Sequence, residues 1–335
     1  MEERLSAADG ELLAEVRSGA ATVTLNRPAA LNALSFGMLR GLAAWLDTWE
    51  HDDRVGLVVF RGAGEKAFCA GGDIRSLYEN SRANPAGLRE YFAIEYALDY
   101  RIHTYPRTIV ALIDGIVMGG GMGISQGANV RIVGTRTKMA MPETAIGLFP
   151  DVGGSYFLSR VPGHVGMYLG LAGPTIRAAD AIDCGLADLS TLETGDAPGE
   201  LRALREPIDR HFALDSVPAI VASLRAEKDP RFTAWAITTL EALAKRSPTL
   251  LCVTHEQIRR GARLALADCF RMELNLIHSC FEQGDVIEGI RALIIDQDNK
   301  PRWQRSRLED VARADVDAFF APRWAPAQHP LASLR

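Results

Sequence analysis

Short apolar runs alternate with amphipathic stretches through the first half of the chain. Two such runs joined at Ser18-Gly19 predict a β-hairpin, because a serine–glycine pair between apolar runs is typical of a tight turn. The predicted strands cover residues 11–16, 21–25, 55–60, 67–69, 109–113, 130–133 and 138–141. Apolar side chains recur every three or four positions in the predicted helices, at residues 36–49, 74–80 and 85–103. Repeated strand–strand–helix units predict an α/β domain of stacked short sheets rather than one long barrel.

Beyond residue 186 the pattern changes, since no further strands are predicted and amphipathic helices follow one another. The predicted helices cover residues 199–212, 217–227, 231–245, 251–280 and 284–295. Prolines separate them, at positions 207, 218, 230 and 248. We therefore predict an α/β catalytic core over residues 1–190 and a helical region over residues 191–335, without a flexible linker.

Composition and charge narrow the class of protein. The 335 residues are 47% hydrophobic and 24% charged, which is typical of a globular protein. The 37 basic and 42 acidic residues give a net charge of −5 without basic blocks, which argues against nucleic acid as a partner. Five cysteines without paired spacing indicate reduced thiols. The acidic N-terminus lacks an apolar signal core, and polar groups interrupt the apolar stretch 108–130, so we expect a cytoplasmic protein without membrane contact.

Two glycine clusters follow predicted strands and are the first candidates for chemistry. Residues 68–74 (FCAGGDI) and 118–123 (MGGGMG) each lead from a strand towards a helix. Backbone amides at a helix start point outward, and glycine lets them approach a ligand closely. Two such turns could supply two N–H donors to one developing oxyanion. The alternative explanation is two tight turns that pack strand on helix, and neither cluster fits a nucleotide-binding motif.

Two carboxylates lie in the apolar, turn-rich segment 141–154 (MPETAIGLFPDVGG). Glu143 and Asp151 are expected to be desolvated there, which raises the pKa of a carboxylate and suits it to proton transfer near neutral pH. In the alternative explanation, Glu143 merely occupies a first helical turn after Pro142, and Asp151 caps a helix that begins near Val152. The setting favours a functional role for Glu143 and leaves both explanations open for Asp151.

A third carboxylate falls on the apolar face of the helix predicted over residues 85–103. Glu95 lies three positions after Phe92 and three before Leu98, in the middle of the face that carries these side chains. Charged side chains are almost never fully buried without a partner. Glu95 therefore either pairs with an internal arginine or faces a polar cavity, and the sequence leaves both open.

One motif resembles that of a different enzyme class. Residues 123–127 (GISQG) match the GxSxG motif of serine hydrolases, but that motif opens a long helix, whereas strand-like sequence resumes here at Val130. A serine triad at Ser125 is therefore not expected. No histidine pair has zinc-ligand spacing, so no metal site is expected either. Cys69 lies in an apolar run that is typical of a protein core.

Several of these segments occur in an order and at spacings that resemble the crotonase (enoyl-CoA hydratase/isomerase) superfamily. They are residues 31–35 (LNALS), 67–74, 119–121 and 142–143, with further similarity at 140–154, 268–273, 288–296 and 300–303. The resemblance implies a spiral of ββα units followed by a helical region, and a coenzyme A thioester as substrate. It also implies that the backbone N–H groups of Gly72 and Gly120 bind the thioester oxygen.

Within the superfamily, the carboxylates resemble those of a subgroup that hydrolyses thioesters. Hydratases have two glutamates, whereas this chain has the second as Glu143 and Gly123 at the first position. The resemblance implies hydrolysis of a short 3-hydroxyacyl-CoA, namely the 3-hydroxy-2-methylpropanoyl-CoA of valine breakdown. Glu143 would be the nucleophile or the general base. Asp151 and Glu95 would hold the 3-hydroxyl group, and Asp151 would assist proton transfer.

The same resemblance concerns the partners of the chain. It implies that Ala33, Ala70 and Lys300 contact the acyl-CoA substrate, that no cofactor is required, and that the chain forms a trimer or hexamer unless its helical region covers the core instead. The nearest alternative function is an enoyl-CoA hydratase or isomerase, against which Gly123 weighs. The other is a crotonase-fold protein that binds acyl-CoA or a partner without turnover, against which the three carboxylates weigh.

Overall fold

The computed structural model describes residues 2–191, 199–283 and 285–335. The chain divides into two units, and each unit combines segments that are distant in sequence. Unit 1 comprises Met1–Asp73, Glu90–Ala140 and Thr175–Gly199. Unit 2 comprises Ile74–Arg89, Met141–Pro174 and Glu200–Arg335. The domain division at residue 190 that the sequence suggests stays a prediction.

The strands of the described residues all belong to unit 1 and form two sheets. They are β1 (Glu3–Ala7), β2 (Leu12–Arg17), β3 (Ala20–Leu25), β4 (Leu57–Gly62), β5 (Ala67–Cys69), β6 (Thr108–Ile113), β7 (Ile116–Met118), β8 (Val130–Val133), β9 (Lys138–Ala140) and β10 (Leu189–Ser190). The larger sheet has the order β1-β2-β3-β4-β6-β8-β10; its first two pairs are antiparallel and the others are parallel. The smaller sheet has the order β5-β7-β9 and is parallel throughout.

Helices make up most of unit 2. In chain order the helices are α1 (Phe36–Glu50), α2 (Ile74–Ala83), α3 (Pro85–His103), α4 (Gly120–Gln126), α5 (Gly154–Phe157), α6 (Val165–Ala172), α7 (Ala178–Asp183), α8 (Glu200–Phe212), α9 (Val217–Arg225), α10 (Thr233–Ala244), α11 (Pro248–Gly261), α12 (Leu266–Gln283), α13 (Asp285–Ile290) and α14 (Arg313–Phe319). A π-helix over Arg291–Ile295 follows α13. Unit 1 contains α1, α4, α7 and the part of α3 from Glu90 onward.

The local sequence explains why these elements form. Along β3, Ala21, Val23 and Leu25 are buried while the residues between them are partly exposed, which is the period of two expected for a strand with one covered face. The helix α1 begins after Ser35, whose hydroxyl accepts a hydrogen bond from the Met38 N–H at 3.2 Å and so caps the first turn. The α/β class and the helical C-terminal region predicted from the sequence are confirmed.

The structure contains elements that the sequence pattern did not predict, among them β1, β7, β10 and α14. Strand β10 lies beyond residue 186, where no strand was expected, because it pairs in parallel with β8. Strand β1 pairs with β2 at the edge of the larger sheet. The single helix expected over residues 251–280 is two helices, α11 and α12. The first ends at Gly261, where a Cβ atom would lie 2.0 Å from the Ser155 carbonyl oxygen.

The apolar stretch at residues 108–130 forms two strands and a short helix, β6, β7 and α4. Among the helices of residues 2–191, 199–283 and 285–335, none has both the length and the apolar character needed to cross a bilayer. The helix α4 ends at Gln126, so the GxSxG-like segment opens no long helix.

Candidate active site

Two glycine turns meet in unit 1, after the neighbouring parallel strands β5 and β7. Gly71 has φ +102°, a conformation that favours glycine, and a Cβ atom there would lie 3.1 Å from the Met118 carbonyl oxygen. A Cβ atom on Gly120 would lie 3.4 Å from the amide nitrogen of Gly72. The two turns are therefore in contact, and only residues without a side chain allow this approach.

The N–H groups of Gly72 and Gly120 are not used by the surrounding backbone. A short parallel bridge uses the groups on either side of Gly72, since the Leu34 N–H donates to the Gly71 carbonyl (2.8 Å) and the Asp73 N–H donates to the Leu34 carbonyl (3.1 Å). Gly120 is the first residue of α4, where an N–H group has no acceptor within the helix. Within the described part of the chain, neither N–H takes part in a backbone–backbone hydrogen bond. Two neighbouring donors are thus available to an oxygen atom.

A carboxylate is buried against these turns. Glu95 of α3 is 2% exposed, and its Oε1 atom lies 2.9 Å from the point that a Cβ atom on Gly120 would occupy. The Tyr91 hydroxyl donates to the same Oε1 atom at 3.4 Å.

Burial raises the pKa of the nearby Cys69 thiol to about 12, and the carboxylates of Glu95 and Asp99 add to this effect. Cys69 is therefore a neutral thiol at physiological pH, and not a thiolate nucleophile.

The other residues expected to bind substrate lie in both units. In unit 1, Ala33 and Ala70 belong to segments that run side by side, because the Ala70 N–H donates to the Leu31 carbonyl at 3.0 Å. This pairing leads directly into the bridge beside Gly72. Lys300 is an exposed residue of unit 2, and its N–H donates to the Asp298 carboxylate at 2.8 Å. Their roles in binding stay predictions.

Glu143 opens a 3-10 helix over Glu143–Ile146 in unit 2, directly after Pro142, as the sequence suggests. Its side chain is buried, with the residue 7% exposed, and its Oε2 atom has no hydrogen-bond partner among the described residues. Burial raises the pKa of Glu143 well above its usual value of 4.5, and the negative charge of Asp151 raises it further. Glu143 therefore holds a proton to a higher pH than an exposed glutamate does.

Asp151 lies in the turn between Pro150 and α5, and it is 6% exposed. The residues that follow it, Val152 and Gly153, both have positive φ angles, of +51° and +89°. The N-cap residue of α5 is Gly153, two positions after Asp151. Its burial beside Glu143 is the arrangement in which two carboxylates influence each other's protonation.

Sequence reasoning missed Glu273 of α12, which binds this same turn. Glu273 is fully buried and accepts hydrogen bonds from the N–H groups of Gly153 (2.7 Å) and Ser155 (2.8 Å) and from the Ser155 hydroxyl (2.5 Å). Burial raises its pKa to about 8. The hydrogen bonds from Gly153 and Ser155 lower this pKa, and the charge of Asp151 raises it. The pattern that locates Glu95 would have found it, since Glu273 lies three positions after Phe270 on the buried face of α12.

Two further expectations concern residues outside these groups. Ser125 is fully buried in α4, and its hydroxyl donates to the Met122 carbonyl at 3.2 Å. Among the residues that the structure describes, no group of three or more histidine, cysteine, aspartate or glutamate side chains has the geometry of a metal site. The site thus provides two amide donors and a buried carboxylate in unit 1, and in unit 2 the buried Glu143, whose pKa is raised, together with the buried Asp151.

The chain is similar to known proteins over nearly its whole length. The family model described as enoyl-CoA hydratase/isomerase matches residues 20–195 and 190–320. The mitochondrial 3-hydroxyisobutyryl-CoA hydrolase of Gallus gallus is 40% identical over an alignment covering 95% of this chain and 90% of that protein. The protein of the same name from Danio rerio is 39% identical, with 94% of this chain and 91% of that protein covered.

Two solved structures share the fold over most of their length. A carnitinyl-CoA dehydratase from Mycobacterium thermoresistibile has a TM-score of 0.88 and 39% identity, and the match covers 93% of this chain and 96% of that chain. An enoyl-CoA hydratase from Rhodobacter sphaeroides 2.4.1 has a TM-score of 0.87 and 37% identity, with 93% and 98% covered. The crotonase-type fold followed by a helical region, which the sequence resemblance implies, is confirmed.

The comparison overturns the expected cellular location. The relatives from Gallus gallus and Danio rerio are named as mitochondrial proteins. The expectation of a cytoplasmic location is therefore wrong. It rested on the lack of an apolar signal core, which tests only for secretion, whereas a mitochondrial presequence is amphipathic and contains no such core.

Proposed function

Because the chain belongs to the enoyl-CoA hydratase/isomerase family, we propose that it hydrolyses 3-hydroxyisobutyryl-CoA to 3-hydroxyisobutyrate and free CoA. The chain is an acyl-CoA thioester hydrolase, since relatives named 3-hydroxyisobutyryl-CoA hydrolase are 36–40% identical to it over most of its length. The identity of the acyl group, the place of the reaction in valine breakdown and the roles of single residues are the parts that we propose.

The observation that carries the proposal is the buried Oε2 atom of Glu143, which has no hydrogen-bond partner within the described residues. A carboxylate in this state is poorly solvated and therefore reactive towards a carbon or a proton. Burial, and then the charge of Asp151, raise the pKa of Glu143 well above its usual 4.5, which is the direction that proton transfer at neutral pH favours. By contrast, the carboxylate of Glu288 is bound by Arg291.

In the proposed reaction, the amides of Gly72 and Gly120 bind the thioester oxygen as it becomes an oxyanion. Their contact and their unused N–H groups support this role, because donors held in place before the reaction cost no reorganisation during it. Chain connectivity supports adding Glu143 to the same reaction. The strands β5, β7 and β9 are neighbours in one parallel sheet, and the residues that follow them include Gly72, Gly120 and Glu143, respectively.

Glu143 would act in one of two ways. As a nucleophile, its carboxylate attacks the carbonyl carbon, the C–S bond breaks, the CoA thiolate takes up a proton, and water then hydrolyses the mixed anhydride. As a general base, it takes a proton from water, whose hydroxide attacks the same carbon and displaces the thiolate. In a single turnover in ¹⁸O-labelled water, label in the Glu143 side chain supports the nucleophilic route, in which water attacks the Glu143 carbonyl of the anhydride. The general-base route places the label in the product only, as does attack of water on the acyl carbonyl of the anhydride.

The acyl group would be recognised through its 3-hydroxyl group. We assign this contact to the buried carboxylates of Asp151 and Glu95. A thioester without the hydroxyl would not form this hydrogen bond, so the site would discriminate strongly against it. Ala33, Ala70 and Lys300 would contact the CoA part, no cofactor takes part because water is the only co-reactant, and a trimer or hexamer remains the proposed assembly.

The direct test is Glu143→Gln, measured by the release of free thiol from 3-hydroxyisobutyryl-CoA. The expected result is loss of turnover, because an amide is neither a nucleophile nor a base at neutral pH. Glu79→Gln, which changes an exposed glutamate of α2, is the control and should keep wild-type activity. Thiol release that persists in Glu143→Gln contradicts the assignment.

A hydratase is the second candidate function, because the two solved structures with high TM-scores are described as a dehydratase and a hydratase. The hydratases of this family use two carboxylates for the syn addition of water to a double bond. In this chain Gly123 stands at the position of one of them. Thiol release and the loss of crotonyl-CoA absorbance, measured side by side, distinguish the functions. Hydration of crotonyl-CoA without thiol release would favour the hydratase.

A further inference from the structure

The turn that carries Asp151 has an unfavourable backbone conformation. Val152, directly after Asp151, has φ +51° and is fully buried at 1% exposure. Glycine adopts this left-handed region freely, but a β-branched residue is rarely found there, because its side chain clashes with the backbone. Such a conformation persists only where the surrounding structure imposes it. The residues around this turn must therefore supply interactions that hold it.

Glu273 supplies three of these interactions from one side. Its Oε2 atom accepts the Gly153 N–H at 2.7 Å, and its Oε1 atom accepts both the N–H (2.8 Å) and the hydroxyl (2.5 Å) of Ser155. Glu273 is completely buried on α12, where water does not compete for its hydrogen bonds. Both oxygen atoms are thus used to hold the backbone that follows Val152.

Gln257 of α11 holds the turn from the other side. Its Nε2 group donates to the Pro150 carbonyl at 2.6 Å and to the Ser155 hydroxyl at 2.9 Å. Asp151 therefore lies between Pro150, which Gln257 binds, and Gly153, which Glu273 binds. The Ser155 hydroxyl connects the two, since it accepts from Gln257 and donates to Glu273.

We infer that Glu273 is a positioning residue that acts through Asp151, by holding the turn 150–155 so that the Asp151 carboxylate stays in one place. This inference rests on the proposed function, in which Asp151 binds the 3-hydroxyl group of the substrate. Asp151 lies two residues before Gly153, whose N–H donates to Glu273, so the segment that Glu273 holds includes the backbone next to Asp151. A looser turn should therefore weaken recognition of the hydroxyl group more than it weakens the attack on the carbonyl carbon.

The test compares Glu273→Gln with the wild type on two thioesters. One is 3-hydroxyisobutyryl-CoA, and the other is isobutyryl-CoA, which lacks the hydroxyl group. The glutamine places an NH2 group against one of the donors of the turn, so kcat/KM for the hydroxylated thioester should fall about tenfold more than kcat/KM for isobutyryl-CoA. An equal fall for both thioesters overturns the inference, because a merely structural role lowers them together.

Glu227 provides a matched control in another part of unit 2. Like Glu273, it accepts two backbone N–H groups, those of Lys228 (2.9 Å) and Asp229 (2.8 Å), and it is also bound by side chains, those of His211 (2.9 Å) and Arg210. Glu227→Gln should leave the ratio of the two kcat/KM values unchanged. If it changes that ratio as much as Glu273→Gln does, Glu273 has no specific role and the inference fails.

Two further variants keep the experiment decisive. Ser155→Ala removes only the hydroxyl that joins Glu273 to Gln257, so it should fold even if Glu273→Gln fails to fold. It should lower the ratio of the two kcat/KM values by a smaller factor than Glu273→Gln. An unchanged ratio in Ser155→Ala overturns the inference. Asp151→Asn separates the two proposals: if it lowers the ratio and Glu273→Gln does not, the positioning role alone fails. If Asp151→Asn leaves the ratio unchanged, the proposed role of Asp151 fails together with it.

Discussion

The same substitution that removes activity should make the protein more stable. Glu143→Gln replaces a buried carboxylate with an uncharged side chain of nearly the same shape. The Oε2 atom of Glu143 has no partner among the described residues, and both burial and the charge of Asp151 disfavour its ionised form. The folded protein therefore has to accommodate a charge, or hold a proton, that the variant does not have. If this acid is kept for its function, removing its charge should raise the stability of the protein while it removes the activity.

The amide of the variant lies in the same unpartnered position, so the gain comes only from the missing charge. An unsatisfied buried group costs about 1–3 kcal/mol, and a charged group costs more than an uncharged one, so we take the gain to be of the same order. Unfolding entropy is about 2.1 cal/mol/K per residue near the transition. For 335 residues, this converts the gain in free energy of unfolding into a rise in Tm of about 1.5–4 °C. A change of this size is readily measured by thermal unfolding.

The gain should depend on pH in a definite direction. Folding raises the pKa of Glu143 above its usual 4.5, so the folded state binds more protons than the unfolded state once the pH exceeds that value. The wild type therefore loses stability as the pH rises from about 4.5 towards the raised pKa. The variant lacks this loss, so the two proteins should differ little at about pH 4.5 and most at alkaline pH.

Thermal unfolding followed by circular dichroism, at about pH 4.5 and at about pH 8.5, measures both effects. Glu79→Gln, at an exposed position of α2, serves as the control and should shift Tm by little at either pH. A Glu143→Gln variant that is less stable than the wild type at alkaline pH would refute the reasoning, because the carboxylate would then be stabilised by a partner. An equal gain at both pH values would refute the electrostatic cause.

Three further predictions concern unit 1. Gly120→Ala should lower kcat for thiol release by about 10²–10³ without unfolding the protein, because the new Cβ atom lies 2.9 Å from the Glu95 Oε1 atom and disturbs the amide pair; steady-state kinetics and circular dichroism check this. Ser125→Ala should keep thiol release, and a fluorophosphonate probe should leave the wild-type Ser125 unlabelled, because its hydroxyl is buried and donates to Met122. Cys69 should resist alkylation by iodoacetamide at about pH 8 in the folded protein, since burial raises its pKa to about 12, and react once urea unfolds the chain; peptide mass spectrometry reads both states.

Local patterns in the sequence account for most elements and for some of the candidate site. The strands β5 and β8 have the predicted bounds, and α3 ends at the expected His103. Glu95 is buried because the helical period places it among apolar residues, and that period depends only on neighbours within two turns. The glycine clusters, Glu143 and Asp151 are likewise found from composition and spacing. Their roles remain predictions, since they depend on what lies opposite each group.

The amino-acid sequence by itself determined the α/β class, the helical C-terminal region and the residue types that chemistry requires. Only the tertiary structure decided that the turns at Gly72 and Gly120 touch, and that Glu273 binds the turn beside Asp151 from a helix far along the chain. The physical reason is that periodicity reports contacts between near neighbours, whereas hydrogen-bond partners and pKa shifts depend on atoms brought together by folding. Val152 shows this most directly, because its backbone conformation is unfavourable locally and is imposed by its surroundings.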